Sequence, residues 1–298
     1  MTTFKGRVVM STGDHCLVAD SANEIHRCQL RSKRNQRPVC GDWVQWQAEA
    51  AGNVIEAIQP RGNVIERGDF RGHPRPLAAN IDQLILVIAP EPAPDTLLID
   101  RYLVLAEAVG IPLFIYINKT DLLTAENESV IEPVVERYQS LGVEVARGST
   151  QDPASIERAR SMTAGRTVIL VGQSGVGKSS LTQALIPSLE LRIGDISEIS
   201  GQGRHTTTET TLFAREDGGA LIDSPGVRTL RLDHLTPEQI TAGFRDIAAW
   251  AEQCRFRDCR HDAEPGCAVA GAVARGELAA ERVDNWRRLC TESQPSNY

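Results

Sequence analysis

Eight residues, Gly172-Gln-Ser-Gly-Val-Gly-Lys-Ser179, constrain the fold of this chain more than any others. They match G-x-x-x-x-G-K-[ST], follow the apolar run Thr167 to Val171, and open a helical stretch from Lys178 to Leu189. Glycines let successive backbone N–H groups turn inward around phosphate oxygens. The N-terminus of the following helix adds partial positive charge. The loop predicts a phosphate site made by Gly172, Gln173, Ser174, Gly175, Val176, Gly177, Lys178, Ser179 and Ser180. Lys178 is expected at the β- and γ-phosphates, and Ser179 on Mg²⁺.

Such a loop needs a sheet behind it. From Ile81 the chain alternates buried apolar runs with helical patterns. Ile81 to Ala89 is a predicted strand. Asp95 can cap a helix with Leu98, Tyr102, Leu105 and Val109 on one stripe, closed by Gly110. Pro112 to Ile117 is a second strand, and residues 128–141 read as a helix stopped by Gly142. This β-α-β rhythm implies a mostly parallel sheet covered on both faces. Leu221-Ile-Asp223-Ser-Pro-Gly226 ends a further strand in D-x-x-G. There Asp223 can hold Mg²⁺ through water, and the Gly226 amide can sense the γ-phosphate. Between the two motifs lies Gly201-Gln-Gly-Arg-His205-Thr206-Thr207-Thr208. A threonine here can complete the Mg²⁺ shell, Thr207 first and Thr208 second.

Asn118-Lys119-Thr120-Asp121 follows the strand 112–117. N-K-x-D suits guanine, because the Asp121 carboxylate accepts from both N1–H and the exocyclic amine, a donor pair that adenine lacks. Lys119 can lie along the base, and Asn118 can tie this loop to the phosphate loop. The order is inverted relative to most GTPases, since the base motif precedes the phosphate motif. A circularly permuted chain builds the same site, because a site needs residues in space rather than in sequence. A second base-contacting loop is then expected after Val143–Ala146, with Gly148-Ser149-Thr150 as the candidate.

Composition narrows the rest. Of 298 residues, 41% are hydrophobic and 24% charged, with a net charge of −7, which excludes a disordered chain. No apolar run approaches the ~18 residues of a membrane span. The first residues, Met1-Thr-Thr-Phe-Lys, carry no secretory h-region. The expectation is a soluble, cytoplasmic monomer with no membrane partner. Residues 1–80 hold eleven Lys/Arg against eight Asp/Glu, whereas residues 81–232 hold thirteen against twenty, which suggests separate modules.

The first 70 residues read as short strands: Gly6–Met10, Cys16–Ala19, a strand pair in Pro38–Trp46, and Gly52–Ile58. With turn residues between them they predict a small β-barrel. Arg71 to Pro76 reads as a linker. Arg27, Arg31, Lys33, Arg34 and Arg37 form a run without acids, which suits either RNA or a solvated loop. Cys16, Cys28 and Cys40, spaced by twelve, are expected as strand-core or surface cysteines rather than as a metal site. Cys254-x4-Cys259-x-His261-x5-Cys267 is different. Three thiolates and one imidazole suit a closed, structural, tetrahedral Zn²⁺ site. Arg255, Arg257 and Arg260 between the ligands, with Arg282, Arg287 and Arg288 on a terminal helix, can contact phosphates or simply face solvent.

Taken in order, N-K-T-D, GQSGVGKS, GxGRHTTT, DSPGV and the cysteine-histidine knot resemble the ribosome small-subunit-dependent GTPase A family over nearly the whole chain. The resemblance implies a multidomain α/β protein. Its parts are an N-terminal OB-fold barrel that binds RNA (1–72), a circularly permuted P-loop GTPase domain (73–232) and a C-terminal helical zinc domain (233–298). It also implies GTP hydrolysis stimulated by the small ribosomal subunit and a role in late maturation of that subunit; the basic N-terminal barrel and the zinc module are then expected to grip its rRNA.

Many GTPases orient the attacking water with Gln just after D-x-x-G; here that position is Val227. Slow intrinsic turnover follows, and His205 is the first candidate to position water, Gln202 the second. An alternative function is an RNA-binding scaffold that holds GTP as a structural ligand. A P-loop kinase is a third reading, but it leaves N-K-x-D unexplained.

Overall fold

The structure is a computed structural model. It describes residues 2–30, 37–68, 73–189, 193, 199, 209–224, 231–262 and 264–293.

Five N-terminal strands close a barrel: β1 (Thr3–Ser11), β2 (His15–Ala19), β3 (Ile25–Leu30), β4 (Trp43–Glu49) and β5 (Gly52–Ile58). Their order is β1-β2-β3-β5-β4, with β4 returning to β1. Only β3 and β5 pair in parallel. This is the expected OB-type barrel. Within the barrel β1 serves two partners, its first half pairing β4 and its second half β2, and its ladder slips at Val8/Met10. Such a bulge bends a strand sharply enough to turn a barrel corner. Val8, Cys16, Val18, Cys28, Val44, Trp46 and Ile55 fill the barrel. Cys16 and Cys28 face each other across β2 and β3. The strand pair expected in Pro38–Trp46 is one strand only. Ahead of it Val39–Asp42 form a turn, in which the Asp42 N–H donates to the Val39 carbonyl at 3.1 Å and the Asp42 carboxylate accepts from the Val39 N–H at 2.8 Å, while Cys40 bridges to Ala78.

Residues 74–79, expected within and beyond a linker, instead form β7 (Pro74–Ala79), paired antiparallel with β6 (Val64–Gly68). Two prolines hid it, yet a two-stranded ribbon has a free edge where a missing N–H costs nothing. The boundary expected at 72/73 falls between these paired strands.

The central sheet runs β10-β9-β8-β11-β13-β12. Its strands are β8 (Gln83–Ile88), β9 (Leu113–Ile117), β10 (Glu144–Arg147), β11 (Thr167–Val171), β12 (Thr211–Ala214) and β13 (Ala220–Asp223). All pair in parallel except β12. Strand periodicity sorts β8 between two cores. Leu84, Leu86 and Ile88 join Ile99, Tyr102 and Leu105 of α1 (Thr96–Val109) on one face. Ile85 and Val87 join Ala159 of α3 (Pro153–Met162) and Leu181 of α4 (Lys178–Leu185) on the other. Helices on both faces explain why β8 and β11 are buried throughout and apolar after their first residues, Gln83 and Thr167.

α1 is capped as expected: the Asp95 carboxylate accepts from the Leu98 N–H at 3.2 Å, and Gly110 takes φ +73°. α2 (Ala125–Ser140) starts earlier than expected, because Thr124 and Asn127 form a capping box. α4 ends at Leu185 rather than Leu189. Pro187 holds Ile186 at φ −130°, ψ 84°, outside the helical region. The C-terminal module contains α5 (Pro237–Ala242), α6 (Arg245–Ala251), α7 (Ala268–Ala274) and α8 (Ala280–Glu292). Its Ile240, Phe244, Val269 and Leu289 share one continuous core with α1.

Candidate functional site

Strands β8 and β11 are neighbours, but the chain leaves them in opposite directions across the sheet. A crevice opens at the carboxyl ends of such a pair. The glycine-rich loop leaves β11 at this point. Gly172 takes φ +135°, and a Cβ there would lie 2.2 Å from the Val87 carbonyl oxygen of β8. Only glycine fits. Lys178 Nζ folds back over its own loop, donating to the carbonyls of Gly172 at 2.8 Å and of Gln173. Ser179 and Ser180 are exposed in the first turn of α4, and Asp223 ends β13.

The base motif leaves β9 beside this loop. Asn118 is fully buried, and its Nδ2 donates to the Val176 carbonyl at 2.9 Å. A Cβ on Gly177 would meet that Nδ2 at 2.3 Å. Lys119 takes φ +59°, and its Nζ donates to the carbonyls of Gly175 at 2.5 Å and Glu91 at 3.3 Å. The loops holding Asp121 and Lys178, 57 residues apart in sequence, are thus tied together through Asn118 and Lys119. Thr120 N–H donates to the Gly148 carbonyl at 3.2 Å. Ser149, buried under this loop, donates its hydroxyl to the Asp121 carboxylate. The candidate Gly148-Ser149-Thr150 therefore lies against Asp121. Gly226, Thr206, Thr207, Thr208, His205, Gln202 and Val227 lie outside the described residues, as do Arg31, Lys33 and Arg34.

Sequence reasoning missed the Glu91–Pro92 wall. It receives Lys119 from one side, and Pro92 Cδ would stand 3.5 Å from a Cβ on Gly175. Its signal was the run Pro90-Glu-Pro-Ala-Pro94 directly after a buried strand.

The second cluster is the knot. The ligand atoms of Cys254, Cys259, His261 and Cys267 all lie within 4.8 Å of one another. Cys254 Sγ stands 3.5 Å from His261 Nδ1 and 4.0 Å from Cys267 Sγ, and Cys267 Sγ stands 3.6 Å from the same Nδ1. A tetrahedral ion with Zn–S of about 2.3 Å and Zn–N of about 2.05 Å sets edges of about 3.8 and 3.6 Å. The donor set and its spacing fit zinc. The N–H groups of Ala268 and Ala270, at the start of α7, donate to the sulfurs of Cys254 and Cys267 at 3.3 Å each. Burial opposes ionisation of Cys254, but hydrogen bonds from the Val269 and Ala268 N–H groups and the Cys259 and Cys267 thiols together outweigh it and hold its pKa below the ordinary thiol value. Burial also lowers the pKa of His261, favouring the neutral imidazole that a metal needs. Glu264 closes the loop by accepting from the N–H groups of Arg260 and Asp262, at 2.7 and 2.9 Å.

Around the knot, Arg255, Arg257, Arg260 and Arg288 are exposed. Arg287 is half-buried and donates to the His261 carbonyl. Arg282 is corrected outright: it is 1% exposed and buried between Asp100 and Asp246, so it faces no phosphate.

The RsgA GTPase family model matches residues 58–233. The chain belongs to the RsgA GTPase family. As a member it is a GTP-hydrolysing enzyme. Two relatives named small ribosomal subunit biogenesis GTPase RsgA come from Chromohalobacter salexigens and Haemophilus influenzae. The first is 47% identical over 89% of this chain and 77% of its own length. The second is 43% identical over 96% and 84% respectively. The crystal structure of YjeQ from Thermotoga maritima superposes with a TM-score of 0.77 at 30% identity, covering 98% of this chain and 99% of that one. YloQ, described as a circularly permuted GTPase, gives 0.73 at 30% identity over 98% and 95%. The inverted motif order and the strand order agree with that permutation. Among the described residues, no helix is long and apolar enough to cross a membrane.

Proposed function

We propose that this GTPase hydrolyses GTP to GDP and phosphate while engaged with the small ribosomal subunit, during late maturation of that subunit. The observation that carries the nucleotide part is the tie between the Asp121 and Lys178 loops. The ribosomal part rests on the names of the relatives. In this reading Asp121, oriented by Ser149, takes the guanine edge, and Asn118, Lys119 and Thr120 shape the base side. Gly172 to Ser180 wrap the phosphates, and Lys178 swings from the Gly172 carbonyl to the β- and γ-phosphates. Mg²⁺, held by Ser179, Asp223 and Thr207, would offset charge on the phosphate oxygens. Water positioned by His205 attacks the γ-phosphorus, the bond to the bridging oxygen breaks, and GDP leaves with that electron pair. The residue and metal roles, the module boundaries at 72/73 and 232/233, the rRNA contacts by barrel and zinc module, the cytoplasmic location and the monomeric state are all parts of this proposal.

The test is multiple-turnover phosphate release from GTP and from ATP, with and without purified small subunits. GTP turnover is expected to be slow alone and to rise by at least about tenfold with subunits; ATP turnover stays at background. GTP binding without stimulated turnover would favour the scaffold that uses GTP as a structural ligand.

A further inference from the structure

Helix α8 touches two distant places. One of its faces seats a zinc ligand: the Trp286 ring lies 5.4 Å from the His261 ring, and Arg287 donates to the His261 carbonyl. Another face is buried on α1. Asn285 Nδ2 donates to Asp100 Oδ2 at 2.8 Å, Arg282 donates to Asp100 Oδ1, and Tyr138 of α2 donates to the same oxygen at 2.7 Å. Asp100 is fully buried, and Arg282 is held from behind by Asp246 at 2.7 Å. Burial opposes the charge on Arg282, but Asp246 and Asp100 outweigh it and raise its pKa. The first residue of α1 is gripped as well. Thr96 donates its hydroxyl to Glu281 at 2.5 Å and accepts from Asn285 at 3.3 Å. Glu281 in turn pairs with Arg137 of α2 at 2.8 Å.

Thr96 lies four residues after Pro92, in the segment that carries the Glu91–Pro92 wall. That wall receives Lys119 and stands beside Gly175. A buried, fully satisfied polar joint fixes one arrangement, because moving it would strand charges out of water. We propose that the zinc-bearing module sets the base-side wall of the nucleotide site, with Glu281, Arg282 and Asn285 acting as positioning residues for Lys119. Zinc and guanine nucleotide then bind with positive coupling. The inference rests on the reading of Asn118–Asp121 as the guanine loop. The coupling is reciprocal: whatever factor zinc adds to nucleotide affinity, nucleotide adds to zinc affinity.

The test uses the full chain, loaded with zinc or stripped by a chelator, with metal content measured. Fluorescent GDP affinity is expected to fall about three- to tenfold on stripping and to return when zinc is restored. GDP should raise zinc affinity by the same factor. In Arg282→Met, with zinc verified, GDP affinity is already reduced, and stripping costs less than in the parent chain. Arg282→Lys should recover part of the loss. Glu281→Gln, at a half-exposed position, gives the same direction with a smaller effect should Arg282→Met fail to fold. Hydrogen exchange is expected to speed up in residues 96–100 on stripping while residues 167–171 keep their protection.

Zinc-free GDP affinity within about twofold of the loaded value would overturn the coupling. So would equal loss of protection across β11, which means global unfolding. Absence of guanine binding in the zinc-loaded chain would instead sink the base-site reading, and this proposal with it.

Discussion

Gly177 shows what a single missing carbon does. It takes φ +89°, and Asn118 Nδ2 occupies the space a Cβ would need, at 2.3 Å. Gly177→Ala must either strain the backbone or break the Asn118 tie to Val176, which holds the two nucleotide loops together. We expect GDP affinity to fall by at least about tenfold and stability by about 1–3 kcal/mol, read by fluorescent-nucleotide titration and thermal melting. A variant that binds GDP as the parent does would show that the tie is dispensable. The two motifs that meet here were legible at the residue scale, because each demands particular residue types at particular spacings. Arg282 was not. A cation on an amphipathic helix looks the same whether its face meets water or two carboxylates.

Among elements, the β6–β7 ribbon best illustrates the limit of pattern reading. Its prolines suggested a linker, yet it receives the chain that enters the C-terminal module. A Cβ on Gly68 would lie 1.8 Å from Asp233 Oδ1, so strand and connection are in close contact. His234, next along, is half-buried; burial lowers its pKa, with Glu66 and Asp233 opposing. A histidine with a depressed folded pKa stays neutral while the unfolded chain takes up a proton. Its contribution to stability is therefore intact above about pH 6.5 and shrinks as pH falls below that value. Between pH 7.5 and 5.5 the melting temperature of the parent should drop more than that of His234→Gln. Equal drops would assign the loss to other groups, the Cys254, Cys259, His261 and Cys267 cluster included. By contrast α1 was legible from cap to stop, because Asp95, its apolar stripe and Gly110 all act locally.

At the scale of the molecule, the barrel and the sheet are joined rather than strung together. Met10 of β1 pairs with Thr211 of β12, making one continuous sheet of eleven strands. Arg7 rivets this joint: it donates to Thr167 Oγ1 at 2.8 Å and to the Asn80 and Gly41 carbonyls at 3.2 and 3.4 Å. It also lies over the Trp43 ring, 5.1 Å from its centroid. Arg7→Ala should cost about 2–4 kcal/mol and loosen the barrel, seen as faster proteolysis between the modules. Unchanged cleavage and melting would make the joint incidental. The sequence by itself determined the GTPase motifs and their inverted order, the Cys3His set whose donor atoms the fold gathers, and the alternation of strands and helices, since each depends on residue type and short spacing. Only the tertiary structure decided that β1 bridges two modules, that Ser149 meets Asp121, and that the zinc module shares a core with α1. Those contacts join residues far apart in the chain, and a helix or strand carries no local mark of which distant surface will cover it.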